Sequence, residues 1–76
     1  MITIRYFASL RETLGRDQDS VDAASVATVR DCWTRVNDRP AVTPDVLAAV
    51  NMEYAGFEHP VSDGDEVAFF PPVTGG

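Results

Sequence analysis

A chain of 76 residues with 45% hydrophobic content builds one compact domain, too short for two cores and too small for a deep enzymatic pocket. A formal net charge of −6, with no basic stripe to neutralise phosphates, argues against nucleic acid as a partner. No apolar run is long enough to span a bilayer, and the opening MITIRYFASLRE alternates polar with apolar residues, unlike a signal peptide; the expectation is a soluble, cytoplasmic protein without a membrane partner.

Ile2 to Phe7 predict a strand with Ile2, Ile4 and Tyr6 on one face and Thr3, Arg5 and Phe7 on the other, more polar one. Ala8 to Leu14 predict a short helix with Leu10 and Leu14 on one side, stopped by Gly15. A polar turn then leads to a brief strand expected at Ser20 to Ala23. The main helix is predicted from Val29 to Asn37, because Val29, Cys32, Trp33 and Val36 recur at the spacing of one helical face. Thr28 and Asp31 supply its start signal, and Pro40 lies beyond its end. Arg39 to Asp45, carrying Pro40 and Pro44, reads as a loop, with or without one helical turn opened by Thr43 and Pro44. Leu47 to Met52 predict a strand, followed by a turn and a shorter extended piece around Tyr54. Asp63-Gly64-Asp65 signals a turn, and the last strand, Glu66 to Phe70, sets Val67 and Phe69 opposite Glu66, Ala68 and Phe70 before Pro71-Pro72 ends it. This order describes an α+β domain with one long helix across a face of a mixed sheet; the pattern alone leaves the strand order open.

Cys32 is the only cysteine, which excludes an internal disulfide framework, and its place on the buried helix face predicts an inert thiol. His59 is likewise alone, so no metal site is expected. All six basic residues, Arg5, Arg11, Arg16, Arg30, Arg35 and Arg39, precede Pro40. After it stand only the acids Asp45, Glu53, Glu58, Asp63, Asp65 and Glu66. That asymmetry either steers the second half toward a basic surface or is mixed away by folding. There is no lysine, so the chain offers no side-chain amine for isopeptide polymers on itself.

The segment Pro71-Pro72-Val73-Thr74-Gly75-Gly76 follows the last strand at once. Six extended residues reach about 20 Å, enough to carry a terminal carboxylate into another protein's active site. The prolines stiffen its base and the glycines clear all side chains from around the carbonyl carbon. A free carboxylate is a poor acyl donor; activation as a mixed anhydride with AMP would let a sulfur nucleophile form a thiocarboxylate. The plain alternative is a frayed end.

The runs Tyr6-Phe7-Ala8-Ser9-Leu10-Arg11-Glu12, Ala48-Ala49-Val50-Asn51, Phe57-Glu58-His59-Pro60 and the unbroken stretch Asp63 to Gly76 resemble the small, sulfur-carrying subunit of molybdopterin synthase, a ubiquitin-like β-grasp family. The likeness covers both ends; Arg16 to Val46 carry little of it, and Trp33 stands where the family more often has a smaller aliphatic residue. The resemblance implies a β-grasp domain over residues 1–70, with the last strand beside the first, and a flexible Gly-Gly tail over 71–76. It also implies that an adenylating enzyme of the ubiquitin-activating type uses ATP on Gly76, that a persulfide donor yields the thiocarboxylate, and that the tail delivers sulfur inside the large synthase subunit of a heterotetramer. There a cyclic pterin precursor becomes molybdopterin. No cofactor is bound permanently in this scheme, and catalysis belongs to the partner. Phe7 and Phe70, on the faces opposite the core, form the expected partner-binding patch, which Tyr54 either extends or leaves. Arg11 pairs with an acid on the partner or remains a solvated helix charge. A sulfur carrier for thiamine or tRNA thiolation, a lysine-conjugating modifier and an interaction module with an inert tail are the alternatives.

Overall fold

The computed structural model describes residues 1–36 and 46–72. The expected helix end at Asn37, the Arg39 to Asp45 loop and the tail from Val73 to Gly76 lie outside the described residues. Strand β1 (Ile2–Tyr6) is followed by α1 (Ala8–Leu14), β2 (Gln18–Val21), a 3₁₀ turn (Ala23–Ser25), α2 (Val29–Val36), β3 (Leu47–Val50), β4 (Glu53–Ala55) and β5 (Glu66–Phe70). The sheet runs β2-β1-β5-β3-β4. Among the described strands only β1 and β5 pair in parallel, with Thr3 beside Glu66 and Tyr6 beside Phe69; the other neighbours are antiparallel. The last strand therefore lies against the first, the point that periodicity left open. Among the described residues no helix is long and apolar enough to cross a membrane.

Alternation in the three inner strands supplies the core. Ile2, Ile4 and Tyr6 of β1, Val67 and Phe69 of β5 and Ala48 and Val50 of β3 are buried against Val29, Cys32 and Trp33 of α2. Phe69 sits at the middle, its ring edge-on to Trp33 at 4.9 Å and within 6.4 Å of Tyr6 and 5.9 Å of Phe57. Burial drives the Cys32 thiol up to about 11, well above an ordinary cysteine, which keeps it protonated and unreactive.

The ends of α2 are closed by contacts of different sequence range. Thr28 Oγ1 accepts the Asp31 N–H at 3.3 Å, while Asp31 Oδ2 accepts those of Thr28 at 3.2 Å and Ala27 at 2.8 Å, a reciprocal capping box with aspartate in the acidic place. Two further N–H groups, of Val29 and Arg30, donate to the carbonyls of His59 at 3.0 Å and Phe57 at 2.8 Å. The run Phe57 to Pro60 is thereby tied to the helix start, and Arg30 adds an ion pair to Glu58 at 2.9 Å. At the other end, Arg16 Nη2 donates to the Val36 carbonyl at 2.8 Å, and its Nε lies 3.3 Å from Asp19, which also accepts the Tyr6 hydroxyl at 3.0 Å.

Three strands differ from expectation at their boundaries, and β1 does so least, ending at Tyr6 rather than Phe7. The second strand ends at Val21 and starts two residues before Ser20, because Asp22 caps the following 3₁₀ turn, its carboxylate accepting the Ala24 N–H at 3.0 Å. Strand β3 stops at Val50 rather than Met52. Asn51 and Met52 take φ of 51° and 72° and form a two-residue hairpin loop that sets Val50 against Glu53, the left-handed pair that a type I′ turn needs. Asn51 then clamps the hairpin to β5: its N–H donates to the Glu66 carbonyl at 2.8 Å, its Oδ1 accepts the Glu66 N–H at 3.0 Å, and its Nδ2 donates to Asp65 Oδ1 at 3.0 Å. The Asn51 Nδ2 donor, with the Ser62 N–H at 2.8 Å from Asp65 Oδ2, holds the Asp65 carboxyl below the usual carboxylate range.

Truncating Phe69 to alanine empties the centre of the core and should destabilise the domain by about 3–5 kcal/mol in chemical denaturation. Because the folded-state pKa of Asp65 is depressed, its contribution to stability is present above the unfolded value of about 3.9 and is lost as pH falls through the folded value. Asn51→Ala should raise the Asp65 midpoint in an NMR titration; an unmoved midpoint would remove Asn51 as the main cause.

Candidate functional site

Helix α2 covers one face of the sheet, and the residues on the opposite face are set by register. Arg5 of β1 lies beside Ala68 of β5, Ala68 beside Ala49 of β3, and Ala49 beside Tyr54 of β4. In the next row Phe70 stands opposite Leu47, and Phe7, whose N–H donates to the Phe69 carbonyl at 3.1 Å, continues β1 beside it. Two alanines in the middle and larger side chains around them leave a groove of about 590 Å³ lined by Arg5, Phe7, Met52, Tyr54, Glu66 and Phe70.

The groove is apolar yet solvent-facing. Phe7, Leu47, Met52 and Tyr54 are exposed, Met52 almost fully at 95%, whereas soluble domains normally show large apolar side chains singly. The Tyr54 and Phe70 rings meet at 5.7 Å with a 58° tilt. Arg5 holds its guanidinium 5.8 Å from the centre of the Phe7 ring and 3.8 Å from Glu66, so one cation and one anion mark the rim. Phe70 ends β5, and Pro71, half-buried, and Pro72, exposed, follow directly; the tail leaves from the edge of the groove.

Of the residues singled out in the sequence, Phe7, Phe70 and Tyr54 come together here. Arg11 lies exposed on α1 and does not line the groove, while Val73, Thr74, Gly75 and Gly76 are outside the described residues. Arg5, Glu66, Ala49 and Ala68 were not anticipated as site residues, although the alternation that exposed Phe7 and Phe70 places Arg5, Glu66 and Ala68 on the same face; Ala49 joins them through its register with Ala68. Met52 carried no such signal, because a residue read as strand proved to be turn. The charge asymmetry is partly mixed by folding: Arg5 pairs with Glu66 and Arg30 with Glu58 across the two halves of the chain.

A two-layer domain of this topology, with an open apolar face from which the C-terminal segment departs, is a ubiquitin-like β-grasp domain. The chain belongs to the ThiS family, which it matches over residues 4–76. It is 46% identical over 81 aligned positions to the molybdopterin synthase sulfur carrier subunit of Escherichia coli strain K12, with all of both chains covered. Among solved structures it is similar to SAMP1 from Haloferax volcanii, at 29% identity and a TM-score of 0.76, with 99% of this chain and 98% of that one covered. It also shares the fold seen in a complex of subunits 1 and 2 of the molybdopterin-converting factor from Helicobacter pylori, at 16% identity and a TM-score of 0.66, with 99% and 97% covered.

Phe70→Ala should cost about 1 kcal/mol or less in chemical denaturation, since the ring is part-exposed and leaves no sealed cavity, while removing one wall of the groove. A loss as large as that expected for Phe69 would mean that Phe70 belongs to the core.

Proposed function

We propose that this chain is a sulfur carrier for molybdopterin synthase whose working group is the carboxylate of Gly76. The observation that carries the reading is the junction at Phe70, where the exposed aromatic groove ends directly before Pro71-Pro72, in a sequence that runs on to Gly75-Gly76. Full-length likeness to a sulfur carrier subunit supports it. A grooved face beside a thin tail suits a protein that must bind by its body and react by its end.

In this reading an adenylating enzyme of the ubiquitin-activating type joins the Gly76 carboxylate to AMP at the expense of ATP. The terminal sulfur of a persulfide attacks the carbonyl carbon and AMP leaves; a second thiol then attacks the donor's sulfur of the new sulfur–sulfur bond, forming a disulfide with the donor and releasing the thiocarboxylate. The groove docks on the large subunit, Phe7 and Phe70 as anchors and Tyr54 beside them, while Pro71 to Gly75 thread the carboxyl end into its active site. Arg11 pairs at the margin of that contact. The large subunit contributes the catalytic residues, and two loaded tails supply the two sulfurs of the dithiolene made from the cyclic pterin precursor. A second reading, a protein modifier, has support from the likeness to the small archaeal modifier protein 1 of H. volcanii; it would leave Gly76 in an amide with a lysine of another protein.

The deciding measurement is the mass of the C-terminal peptide after incubation with ATP, the adenylating enzyme and a persulfide donor. Replacement of one oxygen by sulfur at Gly76, dependent on ATP, is expected; an ordinary carboxylate or a lysine amide there would overturn the carrier reading. Mapping to the peptide is required because oxidation of Met52 or Cys32 mimics the exchange in intact mass. Phe7→Ala and Phe70→Ala should each weaken binding to the large subunit by about tenfold or more in calorimetry, the scale of an interface anchor.

A further inference from the structure

A left-handed backbone is uncommon outside glycine, because the Cβ of an L-residue crowds the carbonyl oxygen there. Among the described residues five have positive φ: Ala8, Gly15, Asn51, Met52 and Gly64. Gly15 and Gly64 have no Cβ to crowd. Asparagine tolerates the region, and the Asn51 side chain is bonded to Asp65 and Glu66. Of the remaining two, only Met52 carries a side chain beyond Cβ. At φ 72° it fills the second loop position of the type I′ turn, where Asn-Gly is the favoured pair.

The free domain gains nothing visible from that choice. Met52 is 95% exposed, so its side chain is not buried, and the hydrogen bonds that clamp the hairpin to β5 belong to Asn51. Glycine at this position would keep those bonds and relieve the crowding. What the methionine does is stand at the rim of the apolar groove. Phe7 and Phe70 occupy one end of that groove. Met52 occupies the other, on the turn that Asn51 ties to Glu66 at the start of β5, roughly 13 Å of strand away from Phe70. An unbranched thioether chain suits an exposed contact, since it adapts its shape to the surface it meets.

We infer that Met52 is a docking anchor for the large synthase subunit, at the end of the groove remote from the C-terminal segment, and that burial in the complex offsets the crowding of the turn. The inference rests on the docking of the groove proposed above. The partner feature it implies is an apolar pocket with a basic side chain at its lip, because exposed Glu53 follows Met52 in a chain of net charge −6. Two contacts at opposite ends of the groove fix the direction of the domain on its partner, where the aromatic cluster at Phe70 alone would let it pivot.

Met52→Gly separates docking from a structural role, because the two readouts move in opposite directions. Relief of the left-handed backbone should raise the melting temperature of the free domain by about 4 °C or more. Affinity for the large subunit, measured by calorimetry with the full chain, should fall by at least about fivefold. Met52→Leu keeps an apolar chain of similar volume on the same backbone and should bind within about twofold of wild type. A glycine variant that is more stable yet binds as tightly as wild type would overturn the inference and leave the carrier reading standing. A glycine variant less stable than wild type would show that the domain itself depends on Met52, and would also overturn it. Failure of the wild type to bind the large subunit would overturn the inference and the docking reading together. Self-association of the wild type that Met52→Gly abolishes would assign the residue to a second copy of the chain, against the inference.

Discussion

The parallel pairing of β1 with β5 is the constraint from which most of the molecule follows. It joins the two segments furthest apart in sequence, so the domain cannot form until nearly the whole chain is in place. It puts Ile4 beside Val67 and Tyr6 beside Phe69, which makes the centre of the sheet the centre of the core. The same pairing separates the chain's two ends: Met1 is tied down beside Asp63 and Gly64, and the prolines leave from the far edge.

Phe69 and Phe70 show how a two-residue period turns one strand into both core and surface. The first ring is fully buried among Tyr6, Trp33 and Phe57; its neighbour points through the other side of the sheet into the groove with Tyr54. A slip of one residue in register would exchange them, exposing the core and burying the groove. The depth of the groove depends on two small residues, since larger side chains at Ala49 and Ala68 would fill its floor.

Polar side chains fix the elements that hydrophobic periodicity cannot. Asn51 ties a left-handed hairpin loop to the start of β5, and the capping box of α2 is completed by carbonyls from residues 57 and 59. Both lie within runs that carry the family resemblance. A physical reason for the likeness in those runs is therefore at hand: they are the staples of the fold.

The alternation of Ile2 to Phe7 and of Glu66 to Phe70 and the helical spacing of Val29 to Val36 were determined by the sequence by itself, because each is a local pattern with one physical reading. From them came the core and the exposed sides of Phe7 and Phe70. The strand order, the meeting of Tyr54 with Phe70 and the addition of Arg5, Glu66 and Met52 to one rim were decided only in three dimensions. The end of β3 was misread for the same reason: Asn51 has the alternation of a strand residue, and its left-handed backbone is stabilised by Asp65 and Glu66, fourteen and fifteen residues away. Periodicity records which way a side chain faces; which distant strand it faces beside is settled by packing and hydrogen bonding across the whole sheet.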